Sequence, residues 1–501
     1  MRITIAFIMG IILVAVIVGG DHCQVSEPAS DSPLGIAFGE GSTNLDHFMD
    51  YIHDLGVKRT KVSFYWSQLE PRPGEYDFHV LDQYLHQLGP DDWALLNLFT
   101  DGWCADPSSN ETPKGRTFFA CPYGRSGCSQ PCQEYYRGFI RTLAEHVKEN
   151  ARGGIKYWQR DTEPASPRHY PADKPEEYVE AQRIFYETVK SVLPEALVVG
   201  VSHNGSFTKS GQPSSADFFD YVIHYAQDDF DLLDIRLYKD KHTIPYRVEW
   251  FRDRMKLYGY KKPIVSTEQG GPDPWTLYDD GRNLYAEFKA KVERDCAGSP
   301  VPWQCLHRWI GEHFQQISPK LQVFLWPADA AQNEKYERMH CHDIVQRNVI
   351  MLASGVEEMW WWNLQSDGYH PVFGKMRLMT ENYEKLPGYP CYKRMVERLG
   401  DVSSVERVDL DDESIYFYKV IKASSDVPLY VVWHRDKEVD PYDAEGAPPV
   451  GATLQVGFDG VKITDAFGGE EVRVTDDSVL TLAVDDTPRY LEEAEGTGAG
   501  R

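Results

Sequence analysis

The run Ile155-Lys156-Tyr157-Trp158-Gln159-Arg160-Asp161-Thr162-Glu163-Pro164 is rich in β-formers and ends abruptly in a carboxylate followed by a proline. Proline fixes its own φ and restricts the residue before it, so the strand stops here and Glu163 is expected at its tip. A second run, Pro263-Ile264-Val265-Ser266-Thr267-Glu268-Gln269-Gly270-Gly271, repeats the arrangement: a short apolar strand, a glutamate, then glycines that stop the strand. Two glutamates at two strand ends suggest a pair, provided that the rest of the chain brings those ends together.

Six further strand candidates surround these two. Leu34–Gly39, Arg59–Phe64 and Trp93–Phe99 precede the Glu163 strand, Leu197–His203 and Leu232–Tyr238 lie between the two glutamates, and Glu358–Leu364 comes after both. Helical spacing predicts helices over 47–55, 79–88, 133–148, 176–193, 217–226, 248–257 and 336–352. Eight short apolar strands alternating with helices are the pattern of an α/β chain whose parallel strands are buried on both faces. They predict a (β/α)8 TIM barrel over residues 34–397. In that fold the C-terminal ends of the strands converge on one rim. Glu163 after the fourth strand and Glu268 after the seventh would therefore face each other across the mouth.

From Arg398 the texture changes to short alternating runs broken by Gly, Asp and Pro: 405–408, 415–420, 429–433, 452–458, 461–466 and 479–484. These predict a smaller all-β sandwich over 398–490, and the Glu- and Gly-rich residues 491–501 read as a disordered tail. The segment 272–335 is unusually long for a connection between a strand and a helix. A long loop on the catalytic rim shapes access, so it is expected to cap one end of the cleft, against the plainer reading of an insertion packed on the barrel.

Composition narrows the partners. The chain of 501 residues carries 52 basic and 77 acidic side chains, a net charge of −25, with 42% hydrophobic and 13% aromatic residues. This is ample for a large core plus a smaller domain. No basic stripe is present to neutralise phosphates, which argues against nucleic acid and leaves a neutral polar substrate, although acidity also simply aids solubility. Met1-Arg2, the apolar run from Ile3 to Val18 and Gly19-Gly20 predict a signal peptide over 1–20 and a polar leader over 21–33. The competing reading is a retained membrane anchor. Cys23 invites lipid attachment, but Asp21-His22 lacks the small residues that such processing needs. An exported chain with nine cysteines predicts disulfides. Cys104, Cys121, Cys128 and Cys132 crowd one region, Cys296 and Cys305 bracket a short segment, and Cys341 and Cys391 lie further on. Zinc binding by the loop cluster is the competitor, weakened by the absence of paired CxxC spacing.

Several segments together carry a resemblance. Thr162-Glu163-Pro164 is similar to the Asn-Glu-Pro of clan A glycoside hydrolases, and Ser266-Thr267-Glu268 to their seventh-strand ending. The segment WSQLEPRPGEYDF from Trp66 to Phe78 is similar to the stretch after their second strand, and Trp362 stands where they offer a sugar-stacking tryptophan. The stretch DAFGGEEVRVTDDSVLTLAVDDTPRYLE resembles their accessory β-sandwich. The chain thus resembles a retaining clan A glycosidase over nearly its whole mature length. The resemblance implies cleavage of β-glycosidic bonds by double displacement, with Glu268 as nucleophile, Glu163 as acid/base and no cofactor. The substrate it implies is an oligosaccharide, polysaccharide or glycoconjugate, and the location is secreted, cell-surface or periplasmic, with a membrane partner only if the N-terminal segment is kept as an anchor. Thr162 departs from the clan's asparagine, and a hydroxyl offers one donor where an amide offers two. Either the substrate lacks that demand, or another side chain such as Asn204 meets it, or activity is weakened.

For each remaining candidate a structural role stands beside the functional one. Tyr238 would hydrogen-bond Glu268, or pack at the rim. His203 and Asn204 would bind sugar hydroxyls, or His203 would be a satisfied core residue. Lys61 would reach the pocket, or pair with a carboxylate. Trp66, Trp103, Trp158 and Trp362 would offer aromatic faces to a pyranose, or fill the core. Asp161 reads as an inward group behind the acid/base. The competing functions are a carbohydrate-binding barrel that has lost turnover, which the Thr162 substitution favours, and a metal-dependent hydrolase, which the lack of a strand-end His/Asp cluster disfavours.

Overall fold

The computed structural model describes residues 32–494 apart from 38–47, 73, 101–129, 152–153, 166–172, 204–206, 208–212, 298, 300–301, 327, 366–371 and 436–447. Strands β1 (Leu34–Ala37), β2 (Arg59–Tyr65), β3 (Trp93–Phe99), β4 (Gly154–Arg160), β5 (Leu197–His203), β6 (Leu232–Ile235), β7 (Ile264–Gln269) and β8 (Glu358–Trp362) form a closed barrel. Each neighbours its sequence neighbour, and β8 closes on β1 in parallel register, Gly35 opposite Trp360. The expected α/β barrel is therefore present. The expected signal peptide or anchor, residues 495–501 of the expected tail, and the loop holding Cys104, Cys121 and Cys128 lie outside the described residues, as does the side chain of Cys132. The tail was expected to begin too early: residues 491–493 belong to the strand Arg489–Glu493, where Leu491 is buried and paired with Tyr430 and Ile463.

The period-two alternation of each strand divides it between two cores. Ala37, Leu95, Tyr157, Val199, Leu232, Val265, Trp360 and Trp362 point inward and fill the barrel. Ile36, Leu96, Trp158, Val198, Leu233, Met359 and Trp361 point outward and pack under the helices. Near the N-terminal end of the strands the interior is polar. Glu358 accepts from Tyr157 Oη at 2.8 Å and pairs with Arg59 Nη2 at 3.1 Å.

Beyond the barrel, β9 (Val402–Arg407), β10 (Ile415–Lys422), β11 (Ser425–His434), β13 (Gly460–Asp465), β14 (Glu470–Val474) and β16 (Arg489–Glu493) form an antiparallel sheet in the order β9-β10-β11-β16-β13-β14. A two-stranded ribbon of β12 (Val450–Gln455) and β15 (Val479–Val484) covers one face, burying Phe417, Tyr430 and Val432 against Leu454 and Leu482. On the other face Tyr416, Tyr418, Val431 and Trp433 join the barrel's own outer core. The sandwich is asymmetric, six strands over two.

After β7 the chain makes its long excursion, which contains helices Leu284–Asp295 and Pro302–His313 and encloses an apolar core of its own, including Leu277, Phe288, Trp309, Ile310, Leu325 and Tyr336. Cys296 and Cys305 are joined in it, Cα atoms 5.9 Å apart, and Cys341 is joined to Cys391.

Candidate active site

The mouth is organised around Glu268. It lies in β7 at a point where the pairing with β8 shifts register, Met359 facing Ser266 but Trp361 facing Gln269. Strict alternation would turn Thr267 and Glu268 to opposite sides. The shift lets both meet Lys61, whose Nζ donates to Glu268 Oε1 at 2.8 Å and to Thr267 Oγ1 at 3.3 Å. Lys61 is 1% exposed and Glu268 4%.

A second cation reaches Glu268 from the end of β6. The guanidinium of Arg236 donates through Nη2 to Glu268 Oε1 and through Nη1 to Glu163 Oε1, the latter at 2.8 Å. One guanidinium holding both carboxylates limits their bound oxygens to roughly 7 Å of each other, two hydrogen bonds plus the width of the group. Tyr238 Oη donates to Glu268 Oε2 at 3.3 Å. Burial pushes the Glu268 carboxyl up, but the Arg236 and Lys61 charges and the hydrogen bonds from Lys61 and Tyr238 outweigh it and hold the group below its ordinary range. Burial pushes the Lys61 ammonium down, opposed by Glu268. Burial also pushes the Arg236 guanidinium down, but the two glutamates outweigh it and drive the group up.

Glu163 lies three residues beyond β4, on a turn whose backbone is unusual. Asp161, Glu163 and Ala165 have φ of 34°, 57° and 62°, left-handed values that cost a non-glycine residue about 1 kcal/mol or more each. The turn is held from both sides. Asp161 accepts from the Thr100 amide at 2.8 Å and pairs with Arg160, and the Glu163 amide donates to Ser202 O at 3.2 Å. Asp161 therefore stands behind the turn, as expected. The Glu163 side chain is 39% exposed, in contrast to the 6% of Glu268. One carboxylate faces the solvent side of the cleft and the other is enclosed.

Below the pair, Asp234 accepts from the Thr267 amide at 2.7 Å and from Gln159 Nε2 at 2.9 Å, tying β4, β6 and β7 together, and burial pushes its carboxyl up.

The other expected residues divide. Trp362 is 5% exposed in the inner core that also holds Tyr238, so it belongs to the upper barrel interior. Thr162 is buried beside Glu163. Trp66 is not presented to the mouth: it is fully buried, stacked on Phe139 at 4.5 Å, with Nε1 donating to Glu70 at 2.6 Å. Trp158 likewise points outward under the helices. His203 is also misplaced by simple alternation. Val201 and Ser202 adopt φ of 73° and 48° and the pairing with β6 shifts register, so His203 is turned into the helical layer against Phe207, Phe219 and Phe251. Asn204 and Trp103 lie outside the described residues. Arg236, Gln159 and Asp234 were not expected. The available signal was a charged residue inside an apolar strand, two positions before Tyr238 and on its face.

A cavity of about 950 Å³ opens elsewhere, between the excursion, the β8 loop and the C-terminal sheet, lined by Trp326, Lys375, Arg377 and Phe467. It contains neither glutamate.

The chain matches no protein-family model and no curated protein sequence. Solved structures do share its fold. A family 39 glycoside hydrolase from the gut symbiont Bacteroides cellulosilyticus WH2 superposes with a TM-score of 0.61 at 13% identity, covering 93% of this chain and 81% of that one. A monomeric β-xylosidase from Caulobacter crescentus CB15 gives 0.52 at 10% identity, covering 93% and 98%. A family 51 α-L-arabinofuranosidase from Bifidobacterium longum gives 0.53 at 12% identity, covering 93% and 97%. The barrel followed by a β-sheet region is thus the fold of known glycoside hydrolases.

Proposed function

We propose that this chain is an exported glycoside hydrolase that cleaves β-glycosidic bonds with retention of configuration. The observation that supports it most directly is the single Arg236 guanidinium shared by Glu163 and Glu268, two carboxylates from opposite parts of a barrel whose fold is that of glycosidases. A separation near 5 Å, the one retention needs, is within that constraint.

In this reading Glu268 attacks the anomeric carbon, the bond to the leaving oxygen breaks, and Glu163 delivers its proton to that oxygen. Glu163 then takes a proton from water, which attacks the anomeric carbon and releases Glu268. Lys61, Arg236 and Tyr238 keep Glu268 ionised and aimed. Glu163, more exposed, exchanges protons with solvent. The substrate is an oligosaccharide, polysaccharide or glycoconjugate, and no cofactor takes part. Export is supported by the apolar N-terminal run together with two disulfides.

One observation favours a second reading, a carbohydrate-binding barrel with impaired turnover: threonine replaces the expected asparagine at 162, beside Glu163. Trapping with a panel of activated 2-deoxy-2-fluoro glycosides separates the two. Covalent labelling of Glu268, lost in Glu268→Gln, supports the hydrolase. Sugar binding without labelling or hydrolysis supports the binding protein and defeats the hydrolase.

A further inference from the structure

β6 leaves the sheet after Ile235, and the next four residues carry the site's Arg236 and Tyr238. Backbone carbonyls beyond a strand end need other partners when water is excluded. Here all four are taken by two buried arginines from different helices. Arg247, on helix Ile244–Leu257, donates to Arg236 O at 3.0 Å and to Tyr238 O at 2.7 Å. Arg347, on helix Ala330–Ala353, donates to Leu237 O at 2.6 Å and to Lys239 O at 2.8 Å. The two planar forks thus grip alternate carbonyls of one segment.

The grip is itself braced. Asp343 receives Arg347 Nε at 2.6 Å and Lys241 Nζ at 3.1 Å, with the side chains of Asp343 and Arg347 both 0% exposed. A Cβ at Gly271 would stand 2.3 Å from Asp343 Oδ1 and 2.6 Å from Arg347 Nη2, so this position, two residues beyond β7, must be glycine for this packing to exist. The tail is also pinned by its amides, Arg236 N donating to His203 O, Leu237 N to Glu268 O and Lys239 N to Asp273 Oδ2.

We infer that Arg247 and Arg347 are positioning residues for the nucleophile: by fixing the β6 tail they set where Arg236 and Tyr238 meet Glu268. This rests on the hydrolase reading. A barrel with only a fold to maintain has no need to bury two guanidinium groups on four consecutive carbonyls, because burying charge is costly. The cost is offset where the segment must hold its place to within a fraction of an ångström. Among the described residues, the charged and titratable groups facing Glu268 are Lys61 from β2, Arg236 and Tyr238 from the tail, and Glu163 through Arg236, with Asp234 beneath. Neither Arg247 nor Arg347 touches it. Their effect on its protonation therefore passes through the tail.

The test uses the full chain and the fluoroglycoside that labels the wild type fastest. In Arg247→Ala and Arg347→Ala the labelling rate is expected to fall about 100-fold, the penalty of a misplacement near 1 Å, at nearly unchanged half-saturation. The acidic limb of the rate profile is expected to move toward neutrality as Glu268 loses Arg236 and Tyr238, and non-denaturing guanidinium is expected to restore part of the rate. A folded variant with the wild-type limb and a rate within about 3-fold of wild type overturns the inference while leaving the hydrolase standing. Where the alanine variants do not fold, Arg347→Lys, which keeps the charge beside Asp343 but not the fork, reads the same limb. A wild type that no reagent labels overturns the hydrolase and this inference together.

Discussion

Replacing Glu268, the proposed nucleophile, with glutamine should destabilise the protein, which is the reverse of what removing a catalytic group commonly does. In the wild type the carboxylate faces Lys61 and Arg236, whose side chains are 2% and 6% exposed. Glu268→Gln leaves an amide of the same shape but strands one buried cation more than the site can neutralise. Removing one partner of a buried ion pair costs about 3–5 kcal/mol, and the retained amide oxygen places this case at the lower end. For a chain of 501 residues the unfolding entropy is on the order of 1 kcal/mol per kelvin, so the expected fall in Tm is about 3 °C. Differential scanning calorimetry reads it directly. Adding Lys61→Met to Glu268→Gln removes the stranded charge and should recover much of the loss, a non-additivity that a double-mutant cycle isolates. The pH dependence has a fixed sign. Glu268 is held below its usual 4.5 by Arg236 and Lys61 against the opposing effect of burial. A group depressed in the folded state contributes its full stability above its unfolded pKa and loses it as pH falls through the folded one. The gap between wild type and variant should thus be complete at pH 6 and close below about pH 4.5. A variant as stable as the wild type at pH 6, or more so, refutes the charge arrangement described for the mouth.

Tyr238→Phe removes one long hydrogen bond to Glu268, so labelling should slow by about 10-fold without loss of Tm, measured by mass spectrometry against time. Trp66→Phe deletes the bond to Glu70 inside a packed aromatic cluster. It should lower stability by about 1–3 kcal/mol and leave KM for any turned-over glycoside unchanged, whereas a raised KM would return Trp66 to the sugar site. Replacing Cys296 and Cys305 with serine opens a short loop and should cost roughly 2–3 kcal/mol. If the excursion caps the cleft, the same change should alter the ratio of chain-end to interior cleavage on oligosaccharides. An unaltered ratio removes the capping role.

The barrel was legible because its strands are buried on both faces, which writes them as short continuous apolar runs. β5 is found where its apolar run predicts it, Leu197–His203. β6 is not: Leu232–Tyr238 reads as one strand, but the ladder ends at Ile235, and the residues beyond it are held by arginines too distant in sequence to be connected with it. Alternation also misleads at His203, since two left-handed residues before it reverse which side it faces. In the C-terminal region β14 leaves no trace in the sequence because it is an edge strand with almost wholly exposed side chains, Glu470 to Val474, and so carries no apolar period. Glu163 and Glu268 were readable from proline and glycine punctuation. Arg236 was not, because its partners come from β7 and from the turn after β4, and only the closed ring brings them to it.

The six-stranded sheet has one further consequence. Because its barrel-side face shares a continuous apolar cluster with the helices, and Arg394 and Gln346 of those helices donate to Ala466 O and Asp486 O within it, this region is not a portable module. Cutting the gene near Arg398 would expose Tyr416, Tyr418 and Trp433 on one product and their apolar partners on the other, so neither half should remain dispersed when expressed alone. Recombination that shuffles catalytic barrels among appended domains would have to carry the two together.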